Sequence, residues 1–273
     1  MSQSPVPGRD TAYVWIGRGV GGRPLPAGRL LRRAGATLLG RAETEIVVAR
    51  GRDGRPLVAV AGAGARVELS VSVSRADGVV AVAARAAGPV GVDVEWCRPL
   101  PALALALAGR WFAPAEAAWL AGRDADGRAR DFLRLWTAKE AVGKALGTGL
   151  RDGGLRRLMP VPEDPDGALW PVPDAVDGDL RPVPDVLDGG LRQPPGAGRL
   201  RVGHPRVGGG LVLAVAVAAD EAVPVHVVPV GAVSVGADGT VGTAGAARGG
   251  AHVAAARRAS AERTSLPVVV RGN

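Results

Sequence analysis

Two short segments of the sequence contain residues whose types and spacing could do chemistry, and the first is GVDVE at 91–95. Residues two apart on a strand point to the same side, so Asp93 and Glu95 would share one face while the valines beside them enter the core. Two carboxylates aimed into one space repel each other unless water or a cation lies between them, and Mg²⁺ prefers such oxygen ligands. A half-buried strand with a solvated acidic face is the alternative interpretation.

The second segment is WTAKEAVGK at 136–144, within a predicted helix. Trp136, Glu140 and Lys144 are spaced by four residues and would therefore share one helical face. The acid and the lysine could form an ordinary surface ion pair, which contributes little to stability. They could equally be a third metal ligand beside a cation that binds phosphate. The glycines that follow in GTGL at 147–150 are sufficiently explained as a helix stop.

The use of lysine draws attention to the same helix. Of the 34 basic residues, 32 are arginine and two are lysine, Lys139 and Lys144. Lysine is a compact point charge on a thin stem, whereas arginine is a broad planar fork. A lysine pair retained against this arginine-rich background indicates positions that arginine does not suit.

Hydropathy patterns predict the elements that must position these residues. Alternating or continuous apolar runs predict strands, and proline and glycine mark the helix ends. The predicted strands lie at 12–16, 66–74, 78–84, 90–95 and 211–217. The predicted helices lie at 28–40, 114–121 and 128–146.

The chain from residue 160 onward has a different composition. An 11-residue unit that joins Pro-Val-Pro to an Asp-Gly turn occurs three times over residues 160–192. Units this short cannot build a solenoid, so we interpret them as an expanded loop inserted in a domain. Residues 231–273 lack aromatic side chains and periodicity, which predicts a disordered tail.

Composition limits the classes of function. The chain has 273 residues, 47% of them hydrophobic, and a net charge of +8, which allows one or two compact domains. A single cysteine, Cys97, excludes an internal disulfide, and three histidines leave little for a histidine-rich metal site. No apolar run approaches the roughly 18 to 20 residues of a membrane span, and the first residues do not resemble a signal peptide. We therefore expect a cytoplasmic protein without a membrane partner.

Nucleic acid and dinucleotide binding have little support. The high positive charge alone favours nucleic acid, and the sequence contains no nucleic-acid-binding motif. The glycine pattern at 17–22 imitates a dinucleotide fingerprint, but prolines follow it where that motif needs a helix to begin. We expect no nucleic-acid partner.

Taken together, the segments resemble the 4′-phosphopantetheinyl transferase family, specifically its two-lobed, Sfp-like branch. The similarity covers about residues 28–160 and the strand at 211–217, with the motifs in order. The matching motifs are GRP at 54–56, LSVSVS at 69–74, GVDVE at 91–95, WFAPAE at 111–116, WTAKEAVGK at 136–144 and GTGL at 147–150.

The resemblance implies an α+β fold of two similar α/β lobes related by pseudo-twofold symmetry, with the active site in the cleft between them. The N-terminal lobe would span residues 1–100, and the C-terminal lobe would span 101–230 with the repeats at 160–192 as an insertion. The disordered tail would occupy 231–273. We expect a monomer.

The resemblance also implies an activity, the transfer of the phosphopantetheine arm of coenzyme A to a serine of an acyl or peptidyl carrier protein, with release of adenosine 3′,5′-bisphosphate. Asp93, Glu95 and Glu140 would hold Mg²⁺, and Glu140 would also deprotonate the serine. Lys144 would neutralise charge on the phosphates. The nucleotide phosphates would be held by Arg55, Ser72 and one or more of Arg29, Arg32 and Arg33.

Two departures from the family pattern leave a second hypothesis open. Val73 stands where the family has a histidine that contacts a nucleotide phosphate, so this contact is missing or is replaced by a nearby arginine such as Arg75. Only about ten residues separate the strand at 12–16 from the helix at 28–40, so the first lobe is shorter than in the family. The alternative is a catalytically impaired homologue that binds carrier protein or coenzyme A without turnover.

Overall fold

The protein's structure is a computed structural model. It describes residues 10–19, 25–51, 54–62, 69–99, 102–151, 153–160, 170–172, 200–219, 223–230, 233–235 and 241–243. The helices in these ranges are α1 (Ala27–Leu39), α2 (Ala102–Trp111), α3 (Pro114–Ala121) and α4 (Ala125–Leu146). The strands are β1 (Ala12–Arg18), β2 (Ile46–Arg50), β3 (Pro56–Val60), β4 (Ser70–Ala76), β5 (Val79–Arg85), β6 (Val90–Trp96), β7 (Trp170–Pro171), β8 (Leu200–Gly203), β9 (Leu211–Ala218), β10 (Val225–Val230), β11 (Val233–Val235) and β12 (Val241–Thr243).

Two four-stranded sheets face each other, and each carries a helix on its outer face. The first sheet has the strand order β10-β1-β5-β4, and the second has the order β6-β9-β8-β7. Small side chains such as Val14, Ala81, Val92 and Val215 fill the space between the sheets. Helix α1 packs on the outer face of the first sheet, and α4 packs on the outer face of the second. The expectation of a fold that mixes helices and sheets is confirmed.

Most predicted elements are confirmed with small shifts of their ends. The predicted strands correspond to β1, β4, β5, β6 and β9. Helix α3 has the predicted bounds, and α1 ends at Gly40, which takes the left-handed conformation with φ 62°. Helix α4 begins three residues earlier than predicted, at Ala125. The part of the predicted strand before Leu69 lies outside the described residues.

The two sheets exchange strands across the predicted boundary at residue 100. Strand β6 precedes that boundary but pairs with β9 in the second sheet. Strand β10, from the end of the predicted C-terminal lobe, pairs in parallel with β1 in the first sheet. A division into residues 1–100 and 101–230 therefore does not separate the two sheets.

The repeats and the predicted tail lie mostly outside the described residues. Within the repeats, residues 170–172 are described, and β7 pairs with β8 at the edge of the second sheet. Within the predicted tail, β11 and β12 form an antiparallel pair. None of the helices in the described ranges is both long enough and apolar enough to cross a membrane.

Candidate functional site

The site is built where the edge strands of the two sheets meet. The Ser72 hydroxyl oxygen on β4 accepts a hydrogen bond from the Val92 N–H on β6, at 3.1 Å. The Ser74 hydroxyl oxygen accepts one from the Val94 N–H, at 3.3 Å. Strand β6 pairs with β9 on its other edge, so these two N–H groups would otherwise be buried without a partner. The alternating serines of β4 thus hold the acidic strand in place.

Asp93 lies at the centre of this junction and is only 4% exposed. Its Oδ1 accepts hydrogen bonds from the Ser74 hydroxyl at 2.7 Å and from the Lys144 ammonium at 2.7 Å. Lys144 also donates to the Val92 carbonyl at 3.1 Å. The second oxygen, Oδ2, is buried and has no hydrogen-bond partner among the described residues. A buried carboxylate oxygen in this state is suited to a cation or an ordered water.

A glycine lets helix α4 approach the acidic strand closely. A Cβ placed on Gly91 would lie 1.9 Å from the Ala141 carbonyl oxygen and 2.7 Å from the Ala145 nitrogen. Any larger residue would therefore force the strand and the helix apart. This close approach brings the α4 residues Glu140 and Lys144 next to β6.

The carboxylates of the site influence one another electrostatically. Burial raises the pKa of Glu95 to about 7, with further contributions from the negative charges of Asp93 and Glu140 and opposition from Lys144. Burial also raises the pKa of Glu140, where Lys144 opposes the shift and Asp93 adds to it. The negative charge of Asp93 thus contributes to the raised pKa of both glutamates, and a bound cation would offset this repulsion.

The donor chemistry of the site fits Mg²⁺. As the side chains stand, no group of three or more histidine, cysteine or acidic residues in the described ranges forms a ready-made metal cluster. Mg²⁺ commonly takes one or two protein carboxylates and completes its shell with water and substrate phosphate. The partnerless Asp93 Oδ2, with Glu95 and Glu140 as charged neighbours, meets that requirement. The predicted ligands are thus neighbours without forming a complete cage.

A cleft of about 670 Å³ opens beside this junction, between α1, the β2–β3 hairpin, β4 and the end of α4. Its size suits a small-molecule ligand or cofactor. Ser72 and four cations line the cleft. The cations are Arg50, Arg55, Arg75 and Lys144. The lining does not include the three acids Asp93, Glu95 and Glu140. Lys144 lines the cleft and also binds Asp93, so it connects the cleft with the acidic part of the site.

Helix α4 ends in a turn that forms one wall of the cleft. Gly147 takes the left-handed conformation with φ 84°, as the sequence predicted for a helix stop. The Gly149 N–H then donates to the Gly143 carbonyl at 3.0 Å, which folds the turn back onto the helix. The Arg55 guanidinium crosses from the β2–β3 hairpin and donates to the Lys144 carbonyl at 3.0 Å. The Lys144 carbonyl, in the last turn of the helix, thus has a cationic partner.

The arginines expected from α1 do not lie in this cleft. Arg29 and Arg33 line a separate, small cavity beside Glu43. Arg32 is exposed and lines none of the described cavities. Helix α1 contributes instead through its first turn, where Gly28 and Leu31 border the cleft.

A buried ion pair joins α3 to α4, and its role was not predicted from the sequence. The Lys139 ammonium donates to both oxygens of Glu116, at 2.9 and 2.6 Å, and to the Arg157 carbonyl at 2.6 Å. Glu116 also accepts hydrogen bonds from the N–H groups of Ala113 and Met159. The two side chains are 1% and 3% exposed. The scarcity of lysine was the signal that marked this position.

Ser74 and Arg50 were also missed as site residues. Ser74 binds Asp93 and Val94, and Arg50 lines the cleft. The spacing of Ser74 two residues after Ser72 would have placed it on the same face of the strand. No comparable signal marked Arg50, since its position depends on how the β2–β3 hairpin packs.

Comparison with known proteins gives two matches. Residues 89–173, nearly a third of the chain, match the sequence model of the 4′-phosphopantetheinyl transferase superfamily. A Synechocystis sp. protein with the provisional name 4′-phosphopantetheinyl transferase is 44% identical over 73 residues, which cover 27% of this chain and 29% of the relative. Nearly a third of the chain is thus similar to this superfamily, and the chain matches less than a third of that relative's length.

Proposed function

We propose that the protein transfers the 4′-phosphopantetheine group of coenzyme A to a serine of an acyl or peptidyl carrier protein, in a reaction that needs Mg²⁺ and releases adenosine 3′,5′-bisphosphate. The observation that carries this proposal is the Asp93–Lys144 pair. A buried carboxylate, whose second oxygen has no partner among the described residues, contacts a lysine that lines the cationic cleft. Its residues belong to the segment that matches the transferase superfamily.

The cleft would bind coenzyme A through its phosphates. Arg50, Arg55 and Arg75 supply positive charge along the lining, and Lys144 lies at the inner end toward Asp93. Arginine suits terminal phosphates because its planar fork can donate two hydrogen bonds, whereas lysine acts as a point charge. We assign Lys144 to the pyrophosphate and the arginines to the nucleotide end.

The acids would hold the metal and move a proton. Asp93 Oδ2, Glu95 and Glu140 would hold Mg²⁺, which when bound supplies charge stabilisation for the pyrophosphate oxygens. Glu140 lies on α4 one helical turn before Lys144, and we assign it to accept the proton of the acceptor serine.

The proposed reaction is a phosphoryl transfer. The serine oxygen forms a bond to the phosphorus that carries the pantetheine arm, and the bond from that phosphorus to the bridging oxygen breaks. The electron pair leaves with adenosine 3′,5′-bisphosphate, and Lys144 balances part of the developing charge.

The finer assignments follow from the same resemblance. We propose that the protein belongs to the Sfp-like branch, and that the two helix-covered sheets represent two lobes related by pseudo-twofold symmetry. The presence of one helix on the outer face of each sheet supports this interpretation. We also propose that the protein acts as a cytoplasmic monomer.

One observation favours the second hypothesis, an impaired homologue that binds without turnover. Val73 lines the cleft where the resemblance expects a histidine, and its side chain offers a phosphate no hydrogen bond. Arg75, two residues further along β4, also lines the cleft and would supply the missing contact. Both hypotheses therefore predict binding of coenzyme A or carrier protein, and only the transferase hypothesis predicts turnover.

The test combines a turnover and a binding measurement. The protein is incubated with coenzyme A, Mg²⁺ and a panel of apo carrier proteins from fatty acid, polyketide and nonribosomal peptide synthesis, and carrier masses are measured. A mass increase of one phosphopantetheine group that a chelator abolishes supports the transferase. Calorimetric binding of coenzyme A without any mass increase supports the impaired homologue. If the protein neither binds coenzyme A nor modifies a carrier protein, both hypotheses are contradicted.

A further inference from the structure

A second cleft lies outside the proposed transferase site. It has a volume of about 430 Å³ and is formed by the first half of α4 and the segment that joins β8 to β9. Its polar lining consists of Arg130, Arg134, His204 and Arg206. None of these residues takes part in the acid–lysine junction or lines the larger cleft.

The cleft has an excess of positive charge. Its lining contains three arginines and no acidic residue. Arg130 and Arg206 are exposed, and their guanidinium groups form no hydrogen bond or ion pair within the described residues. Arg134 contacts Asp131 at 3.3 Å, but Asp131 is shared with Arg123 at 2.7 Å. The Asp131 carboxylate, which also binds Arg123, therefore does not neutralise the arginines of the cleft, and these arginines would attract an added anion.

His204 adds a neutral, oriented group. Its Nε2 lies 3.0 Å from the Arg134 carbonyl and 3.4 Å from the Thr137 hydroxyl. That hydroxyl donates its own hydrogen to the Leu133 carbonyl at 2.8 Å, so both neighbours of Nε2 accept. Nε2 therefore carries the hydrogen, and Nδ1 is left as an acceptor. Burial lowers the pKa of His204 to about 4. The hydrogen bond to the Arg134 carbonyl opposes this shift and the charge of Arg134 adds to it, so the ring is neutral near pH 7.

The other side of the cleft is apolar. Val207 and Leu211 contribute half-buried side chains to the lining, and Leu213 lies buried behind them. An inorganic anion would use the arginines but leave this wall in contact with water. A ligand with an anionic head and a short hydrocarbon body would use both, and burial of its apolar surface would add to its affinity.

We propose that this second cleft binds a small organic anion, with its carboxylate or phosphate head on Arg130, Arg134 and Arg206 and its apolar body against Val207 and Leu211. The volume of the cleft lies within the range of small-molecule sites, which favours a small ligand over a peptide. The proposal does not depend on the transferase activity, since it concerns different residues.

The test uses His204 as the reporter. The chain has three histidines, so their imidazole ¹H–¹⁵N signals can be assigned by single substitutions. The full-length protein is titrated with hexanoate, hexyl phosphate, hexan-1-ol, inorganic phosphate and a hexaglutamate peptide. We expect hexanoate or hexyl phosphate to shift the His204 signal to saturation. The comparison of these two identifies the head group. Hexan-1-ol and inorganic phosphate should bind more weakly.

A pair of variants ties the binding to the arginines. Arg130→Gln/Arg206→Gln removes two exposed cations and should weaken binding by at least about tenfold, as expected for the loss of charge-assisted hydrogen bonds. Arg41→Gln/Arg156→Gln removes the same charge from exposed positions outside the cleft and should leave binding unchanged.

Four results would overturn the proposal. The first is the absence of a saturable His204 shift with either hexyl anion. The second is an affinity for inorganic phosphate equal to that for the tighter-binding hexyl anion, which would indicate unselective anion binding. The third is an affinity for hexan-1-ol equal to that for the tighter-binding hexyl anion. The last is binding of hexaglutamate alone, which would assign the cleft to an acidic protein partner.

Discussion

The Lys144 ammonium lies 2.7 Å from Asp93 Oδ1, and this ion pair joins the end of α4 to the acidic strand β6. The Asp93 side chain is 6% exposed and that of Lys144 is 27% exposed, so the pair lies at the boundary between core and cleft. The lysine can therefore contact a ligand in the cleft while it compensates a buried carboxylate.

Replacement of Lys144 by methionine should destabilise the fold. The variant leaves Asp93 buried with the Ser74 hydroxyl as its remaining hydrogen-bond donor, at an expected cost of about 1–3 kcal/mol in the free energy of unfolding. Urea unfolding measures this cost. The Asp93→Asn/Lys144→Met double variant should lose less than the sum of the two single variants. Strictly additive losses would show that the two side chains are not coupled.

The buried Lys139–Glu116 pair should matter more for stability. Lys139→Met leaves Glu116 charged, 3% exposed and without its cation, so we expect a loss of about 3–5 kcal/mol in the free energy of unfolding. The matched control is Arg98→Met, which breaks the exposed Arg98–Asp77 pair and should cost less than about 1 kcal/mol. Similar losses for the two variants in urea unfolding would argue against the buried pair.

Gly91→Ala tests the close approach of β6 and α4. The added methyl group would overlap the Ala141 carbonyl, so strand and helix must separate, at about 1–3 kcal/mol. Gly109→Ala is the control, since no heavy atom lies within 4 Å of the added carbon and the site is within α2. It should stabilise the helix by about 0.5–1 kcal/mol. Thermal unfolding of both variants gives the comparison, and equal effects would refute the contact.

The raised pKa of Glu95 predicts a dependence of stability on pH in metal-free protein. The folded state holds the proton up to about pH 7, whereas the unfolded chain releases it near 4.5. Folded protein thus binds more protons between these values, and this contribution to stability is lost as the pH rises through them. Glu95→Gln should lack this loss, so its stability relative to the unsubstituted protein should increase from pH 4.5 to 8. A constant difference, measured in urea with a chelator present, would contradict the assignment.

The sequence predicted the elements of the site better than their arrangement. Strand β6 could be identified from the alternation of its side chains, and helix α3 could be identified from the proline in its first turn. Both signals are local in the sequence. Helix α2, with the sequence ALALALAGRW, was not predicted. Its first seven residues are apolar on every face of the helix, so they show no amphipathic pattern of helical period.

Long-range pairing could not be predicted from local patterns. The parallel pairing of β10 with β1 joins residues more than 200 positions apart in the chain, and no periodicity specifies such a partner. The position of Arg29 could not be predicted for a related reason. The sequence shows that α1 is basic, but only the packed helix reveals that Gly28 faces the cleft and Arg29 a different cavity.

The acid cluster shows which features of the site can be predicted from residue types and their spacing. The spacing of Asp93 and Glu95 predicted a shared face, and the spacing of Glu140 and Lys144 predicted another. That these faces meet depends on Gly91, whose missing side chain lets α4 approach. The sequence contained this glycine, but its role is visible only in the packed structure.

The most direct test of the account is the rate of phosphopantetheine transfer by Glu140→Gln. The substitution removes a charge and a proton acceptor with little change in volume, so the fold should persist while transfer falls by at least about a hundredfold. Glu43→Gln, at an exposed position away from the cleft, should transfer at the unsubstituted rate. A folded Glu140→Gln protein that modifies the carrier serine as fast as this control would contradict the proposed role of the acids.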